Sequence, residues 1–186
     1  MNIAVFATGS GTNFEALMKS DVGDKIVLLV CDKAGAGVLE RAKQFGVPTF
    51  LFEPKAYANK AEFETAILAE LEAKQVDFIV LAGYMRLIGE TLLDQYPNKI
   101  VNLHPSLLPK YPGKDAILQA LSDGADETGV TAHFVDAGMD TGEVIARESI
   151  PILATDTEAS LTAKIHKIEH IFYPKVVKNL VEGKFK

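Results

Sequence analysis

Short, uninterrupted apolar runs constrain this chain more than any other feature. They are Ile3 to Ala7, Ile26 to Cys31, Val47 to Phe52, Phe78 to Ala82 and Ile100 to Leu103. A strand with one wet face alternates apolar and polar residues. A run without alternation belongs to a strand covered on both faces, as in a parallel sheet. Amphipathic stretches lie between the runs. Asn59 with Glu62 makes a capping pair ahead of Phe63, Ile67 and Leu71 at helical spacing. Val38, Ala42 and Phe45 mark a shorter helix that Gly46 is placed to end, and Asp115 to Leu121 another that stops near Gly124.

The pattern then changes. Thr128 to Val135 and Glu143 to Pro151 read as strands joined by Asp136-Ala137-Gly138-Met139-Asp140-Thr141-Gly142, a hairpin with a long loop. Thr155 and Glu158 read as a capping box for a last helix that carries Leu161, Ile165, Ile168 and Phe172 on one face. Pro174 should kink or divide that helix. No repeat, low-complexity tract or linker interrupts the 186 residues, so one α/β domain is the economical reading.

Composition narrows the function classes. With 48% hydrophobic and 24% charged residues the chain can bury a core, which excludes general disorder. A net charge of −6, from 25 acidic and 19 basic residues, argues against binding nucleic acid through its phosphates. The single cysteine, Cys31, cannot form an internal disulfide, as suits a reducing cytoplasm. The longest charge-free apolar stretch, Phe78 to Met85, is far short of a membrane span. Met1 to Ala7 lacks the basic region of a signal peptide, and a soluble cytoplasmic protein is expected.

Five places could carry chemistry. Thr8-Gly9-Ser10-Gly11-Thr12-Asn13 follows the first strand and precedes a helix, where backbone N–H groups and side-chain donors suit a monophosphate; a turn that binds nothing is the alternative. A dinucleotide fingerprint would need a third glycine where Phe14 stands, although Asp32 lies at a fair distance for a ribose-binding acid. Asn102-Leu103-His104-Pro105 closes the fifth run. Alternation puts Asn102 and His104 on one side, at the strand end where open α/β sheets bind ligands. An amide donor beside an imidazole can hold and protonate an oxyanion, though turn residues before a proline look the same.

The loop Asp136 to Gly142 has Thr141 and Arg147 where a calcium loop needs glycine and glutamate, so calcium is not expected. Its two carboxylates could orient a histidine, or the loop could be a solvated turn. His166-Lys167-Ile168-Glu169-His170 matches the zinc-peptidase pattern but lacks a distant third ligand; a polar helix face, or a glutamate bonded to a substrate hydroxyl, fits as well. Gly83-Tyr84-Met85-Arg86-Leu87-Ile88-Gly89 could offer backbone groups to a flat ligand, or be ordinary core. No Gly-x-Ser-x-Gly elbow occurs.

Taken in order, these segments resemble the folate-dependent phosphoribosylglycinamide formyltransferases. The likeness runs from Met1-Asn2-Ile3 to the last helix, and its most specific piece is Asn102-Leu103-His104-Pro105-Ser106-Leu107-Leu108-Pro109, continued by Lys110-Tyr111-Pro112-Gly113. Gly9 to Asn13, Ala82-Gly83-Tyr84-Met85-Arg86 and Met139-Asp140-Thr141-Gly142 fall in the expected order. The resemblance implies transfer of a formyl group from 10-formyltetrahydrofolate, as co-substrate, to the amine of glycinamide ribonucleotide, without a metal. It assigns Asn102, His104 and Asp140 to catalysis. It puts Gly11, Thr12 and Asn13 on the nucleotide phosphate and the segment of His166 and Glu169 on the ribose. Lys60, Met85, Arg86, Leu87 and Ile88 would meet the folate, together with Asn102 and the loop Asp136, Ala137, Gly138, Met139 and Asp140. Lys60 stands where arginine is expected and keeps the charge without the bidentate fork. Glu143 follows Gly142 where such enzymes often have proline.

The implied fold is Rossmann-like: a mainly parallel sheet flanked by helices, with a C-terminal antiparallel hairpin and long helix. Residues 1–100 would form the nucleotide-phosphate half and residues 101–186 the catalytic and folate-loop half. The partners would be two small molecules, with no nucleic acid and no membrane, and the chain a monomer or homodimer. Three rivals share the signature. A methionyl-tRNA formyltransferase resembles a longer chain and needs a basic surface that a net charge of −6 does not suggest. A formyltetrahydrofolate deformylase carries an extra N-terminal domain, for which a chain starting at its first strand leaves no room. A sugar-nucleotide formyltransferase fits the phosphate loop and the length less well. Outside this chemistry, a nicotinamide dehydrogenase lacks its glycine, and a phosphate-binding module would leave Asn102, His104 and Asp140 without purpose.

Overall fold

The computed structural model describes residues 1–185. Its first strand, β1 (Ile3–Ala7), is buried throughout and sets the layers. Side chains alternate across a strand, so Ile3, Val5 and Ala7 enter one core while Ala4 and Phe6 enter another. The strand β4 (Phe78–Leu81) divides in the same way, with Val80 on the first side and Ile79 and Leu81 on the second. Unbroken apolar runs therefore mark strands with protein on both faces.

The other strands are β2 (Ile26–Cys31), β3 (Thr49–Leu51), β5 (Ile100–His104), β6 (Glu127–Phe134) and β7 (Val144–Pro151). All join one seven-stranded sheet in the order β3-β2-β1-β4-β5-β6-β7. Pairing is parallel from β3 to β5 and antiparallel for β5–β6 and β6–β7. The expected hairpin is thus present and completes the sheet. The third strand departs from its run Val47 to Phe52: it lies at the sheet edge, only residues 49–51 pair with β2, and Leu51 is 45% exposed, so β3 is not covered on both faces.

Helices cover both faces. Phe14 and Leu17 of α1 (Thr12–Met18), Val38 and Ala42 of α2 (Gly37–Phe45), and Leu161, Ile165 and Tyr173 of α6 (Glu158–Val181) pack into the first core. The short α5 (Ala116–Ser122) joins that side through Ile117 and Leu121. Phe63, Ile67 and Leu71 of α3 (Lys60–Ala73) and Leu92 of α4 (Glu90–Gln95) fill the second. Gly46 ends α2 in the left-handed region at φ 68°, the conformation that favours glycine. The Asn59 side chain caps α3 by accepting from the Glu62 N–H.

Two expectations for the last helix need correction. Its N-cap is Thr157, and the reciprocal bonds run between Thr157 and Ser160, not Thr155 and Glu158. Asp156 explains the shift: its carboxylate accepts from the Leu153 N–H, the Ser160 hydroxyl and the Lys164 ammonium, so the preceding turn closes later. Pro174 does not divide the helix, which is continuous over Glu158–Val181. Its neighbour Tyr173 is fully buried and hydrogen-bonds the carbonyls of Leu81 and Val101 at 2.7 and 3.2 Å, docking this turn against β4 and β5. That packing offsets the lost helical hydrogen bond. No helix among the described residues is long and apolar enough to cross a membrane.

Candidate active site

The sheet order reverses between β1 and β4, and the loops beyond the carboxyl ends of such strands form the ligand crevice of an open α/β sheet. A cleft of about 490 Å³ opens beside β4 and β5. Its walls are Leu81, the loop of Gly83 to Ile88, Asn102 to Pro105, Gly113 to Ala116, His133, Val135 and the loop residues Asp136, Gly138, Met139 and Asp140.

Three polar side chains meet at one end. His104, 5% exposed, closes β5. Its Nε2 lies 2.8 Å from the Tyr111 carbonyl, which can only accept, so Nε2 carries a hydrogen. Nδ1 then faces Asp140 Oδ2 at 3.4 Å. Asp140 holds a left-handed backbone at φ 55°, and its Oδ2 also accepts from the Gly113 N–H at 2.8 Å. Burial works to raise the Asp140 pKa, but the neighbouring imidazoles of His133 and His104 and the hydrogen bond from the Gly113 N–H outweigh it and leave it below the usual carboxylate value. Asn102 stands two residues before His104, as alternation requires.

His133 is the member that the sequence did not announce. It is 2% exposed on β6 and paired in register with Asn102. Its Nδ1 donates to the Phe134 carbonyl at 2.8 Å, and its Nε2 lies 3.4 Å from Asn102 Nδ2 and 3.5 Å from Asp140 Oδ1. Finding it needs the register of two antiparallel strands, which no spacing within one segment reveals.

Asp136 turns into its own loop, accepting from the Gly138 N–H at 3.0 Å and the Thr141 hydroxyl at 2.6 Å. It shapes the loop that presents Asp140. Gly142 is required on steric grounds: a Cβ there would lie 1.7 Å from the Phe134 carbonyl oxygen. Ala137 is not among the cleft-lining residues.

The opposite wall is held by polar ties. The Thr8 hydroxyl donates to Asp32 at 2.7 Å and accepts from the Met85 N–H at 3.0 Å. Arg86 pairs with the buried Asp32 at 2.6 Å. Asp32 is thereby engaged and not left for a ribose. Lys60 does not line the cleft; its ammonium donates to the Leu87 carbonyl at 3.0 Å.

The expected phosphate turn and the last helix do converge. Gly11 adopts φ 82°, and a Cβ there would strike Val38 at 2.6 Å. Asn13 donates from Nδ2 to Glu169 at 3.1 Å, while its Oδ1 is buried without a partner. Burial pushes the Glu169 carboxyl up, against the pull of Asn13 and His166. Thr12 lies with His170 along a neighbouring depression. His166 is exposed, and among the described residues no three His, Cys, Asp or Glu side chains are grouped to hold a metal.

Comparison with known proteins fits this geometry. Residues 1–177 match the family model described as formyl transferase. The phosphoribosylglycinamide formyltransferase of Bacillus subtilis is 53% identical over 182 residues, covering 96% of this chain and 93% of that protein. The crystal structure of glycinamide ribonucleotide transformylase 1 from Geobacillus kaustophilus is similar at a TM-score of 0.92 and 54% identity, covering 96% of this chain and 97% of that one. That of phosphoribosylglycinamide formyltransferase from Bacillus halodurans matches at a TM-score of 0.93 and 47% identity, over 97% of this chain and 95% of that one. This chain belongs to the formyl transferase family, alongside the phosphoribosylglycinamide formyltransferases.

Proposed function

We propose that this chain is a phosphoribosylglycinamide formyltransferase. It moves the formyl group of 10-formyltetrahydrofolate to the amine of glycinamide ribonucleotide, giving formylglycinamide ribonucleotide and tetrahydrofolate in purine synthesis. The observation that carries the reading is the meeting of Asn102, His104 and Asp140 at the end of one cleft, with His104 and Asp140 3.4 Å apart.

The chemistry follows from the groups present. The amine attacks the formyl carbon and a tetrahedral oxyanion develops. Asn102, whose Nδ2 has one hydrogen towards His133, keeps a second for that oxyanion. When His104 Nδ1 bears a proton it faces both the reacting centre and the Asp140 carboxylate, and it can donate to the oxyanion. Collapse breaks the bond from the formyl carbon to folate N10. The amine loses one proton and N10 gains one, so the sum needs no redox partner. His104 and Asp140 are the side chains that can carry that proton.

Ribonucleotide binding is assigned to Gly11, Thr12 and Asn13 for the phosphate and to His166 and Glu169 for the ribose. The folate is assigned to the cleft, against Met85, Arg86, Leu87, Ile88, Asn102 and the loop Asp136 to Asp140. The reading further holds that residues 1–186 act as one cytoplasmic domain, a monomer or homodimer, on small molecules alone. The test supplies 10-formyltetrahydrofolate with and without glycinamide ribonucleotide and identifies both products. Release of tetrahydrofolate that requires the ribonucleotide supports the proposal. Release with water as acceptor would make the protein a deformylase, and no release in either case would overturn the reaction.

A further inference from the structure

One wall of the cleft is gripped by a single face of α3. Lys60 and Glu64 lie one helical turn apart and carry opposite charges to opposite backbone groups. The Lys60 ammonium donates to the Leu87 carbonyl at 3.0 Å, and the Glu64 carboxylate accepts from the Gly89 N–H at 2.9 Å. Gly89 sits hard against both, for a Cβ there would lie 2.2 Å from Glu64 Oε1 and 2.9 Å from Lys60 Cδ. At its other end the same loop is tied to Thr8, whose N–H donates to the Gly83 carbonyl and whose hydroxyl accepts from the Met85 N–H, both at 3.0 Å. Between these anchors Met85 and Leu87 remain 77% and 48% exposed.

Glu64 is costly as a mere structural residue. It is 2% exposed, and burial pushes its carboxyl up against the pull of the Gly89 N–H and the Lys60 charge. Apolar packing of α3 is already supplied by Phe63, Ile67 and Leu71. Among the described residues the hydrogen bond that its carboxylate makes is to the loop. A buried charge aimed at one main-chain N–H fixes that N–H in place, which is what a loop presenting its backbone to a ligand requires.

We infer that Lys60 and Glu64 are positioning residues: through Leu87 and Gly89 they hold Met85 to Ile88 in the shape that a flat heteroaromatic ligand meets in the cleft. The inference deepens the folate reading and rests on it for the ligand's identity. Lys60 then contributes to folate affinity through the loop, by way of its bond to Leu87.

The test compares the intact protein with Lys60→Met, Glu64→Leu and Glu64→Gln. Amide hydrogen exchange is read over residues 83–89, with tetrahydrofolate and ribonucleotide affinities by calorimetry. Lys60→Met should speed loop exchange and weaken tetrahydrofolate binding about 3- to 10-fold, the effect of one net hydrogen bond. Glu64→Leu should weaken it about 10- to 100-fold, while Glu64→Gln, which keeps an acceptor oxygen, should recover most of the loss. Ribonucleotide affinity should stay unchanged, and the folate KM should rise more than kcat falls. Unchanged loop exchange in Lys60→Met, which folds without burying a new group, would overturn the inference. So would a loosened loop with unaltered tetrahydrofolate affinity. A parent protein that binds no tetrahydrofolate would instead overturn the folate reading, and the exchange measurement would still decide the clamp.

Discussion

Asn102 and His133 face each other across β5 and β6, Nδ2 to Nε2 at 3.4 Å, in register. The Phe134 carbonyl takes the hydrogen on His133 Nδ1, which leaves Nε2 of the neutral ring as an acceptor. An acceptor at that point selects the amino end of the Asn102 amide, not its oxygen. His133→Leu should therefore lower kcat by about 10-fold while leaving ribonucleotide affinity unchanged, since it frees an oxyanion donor to rotate. His133→Gln, with an oxygen to accept from Asn102, should recover part of the loss. Steady-state kinetics on both variants check this.

Removing the donor itself should cost more. Asn102→Ala is expected to lower turnover by about 10²–10³-fold, the usual effect of losing one oxyanion donor, with the ribonucleotide still bound. Near-normal turnover in that variant removes Asn102 from the chemistry. Calorimetry beside the assay separates binding from catalysis.

Burial makes Glu169 costly to hold as a carboxylate. Burial raises its pKa in the folded chain, so the stability tied to its protonated form is complete below the ordinary glutamate value and lost as pH rises through the folded one. At pH 7 a buried carboxylate remains, held by Asn13. Glu169→Gln should raise Tm at pH 7 by about 2–4 °C, the shift that about 1 kcal/mol gives in a chain of this size. The gain should shrink towards pH 4, and ribonucleotide affinity should fall about 10-fold. Thermal unfolding at the two pH values and a binding titration measure these effects.

Asp156 behaves with the opposite sign. The Lys164 ammonium, the Leu153 N–H and the Ser160 hydroxyl lower its pKa to about 2. The start of α6 is therefore supported above the ordinary aspartate value, and that support is lost as pH falls towards about 2. Asp156→Asn should lower Tm at pH 7 and flatten its decline between pH 4 and 2. An unchanged acid profile contradicts the assignment.

Much of this was legible because local and global signals agreed. Apart from the exposed edge strand β3, unbroken apolar runs marked the strands buried on both faces, and the Gly46 and Asn59 caps fell where expected. Asn102 and His104 were paired by strand alternation alone. What escaped depended on contacts distant in sequence. His133 reaches the site only through the β5–β6 register, and Lys60 proved to hold Leu87 because the fold lays α3 against the 83–89 loop. The true cap of α6 was displaced by Asp156, whose bonds reach both backwards to Leu153 and forwards to Ser160 and Lys164. Pro174 stays inside a continuous helix because local propensity yields to the packing of Tyr173.

The most direct measurement is formyl transfer to glycinamide ribonucleotide by the parent protein and by His104→Ala, with ribonucleotide affinity determined for both. The account predicts ribonucleotide-dependent transfer in the parent, at least about 10²-fold slower transfer in the variant, and equal affinities. Transfer that persists at the parent rate without the imidazole would contradict it, because the account gives the proton that passes from amine to N10 to the pair of His104 and Asp140, 3.4 Å apart.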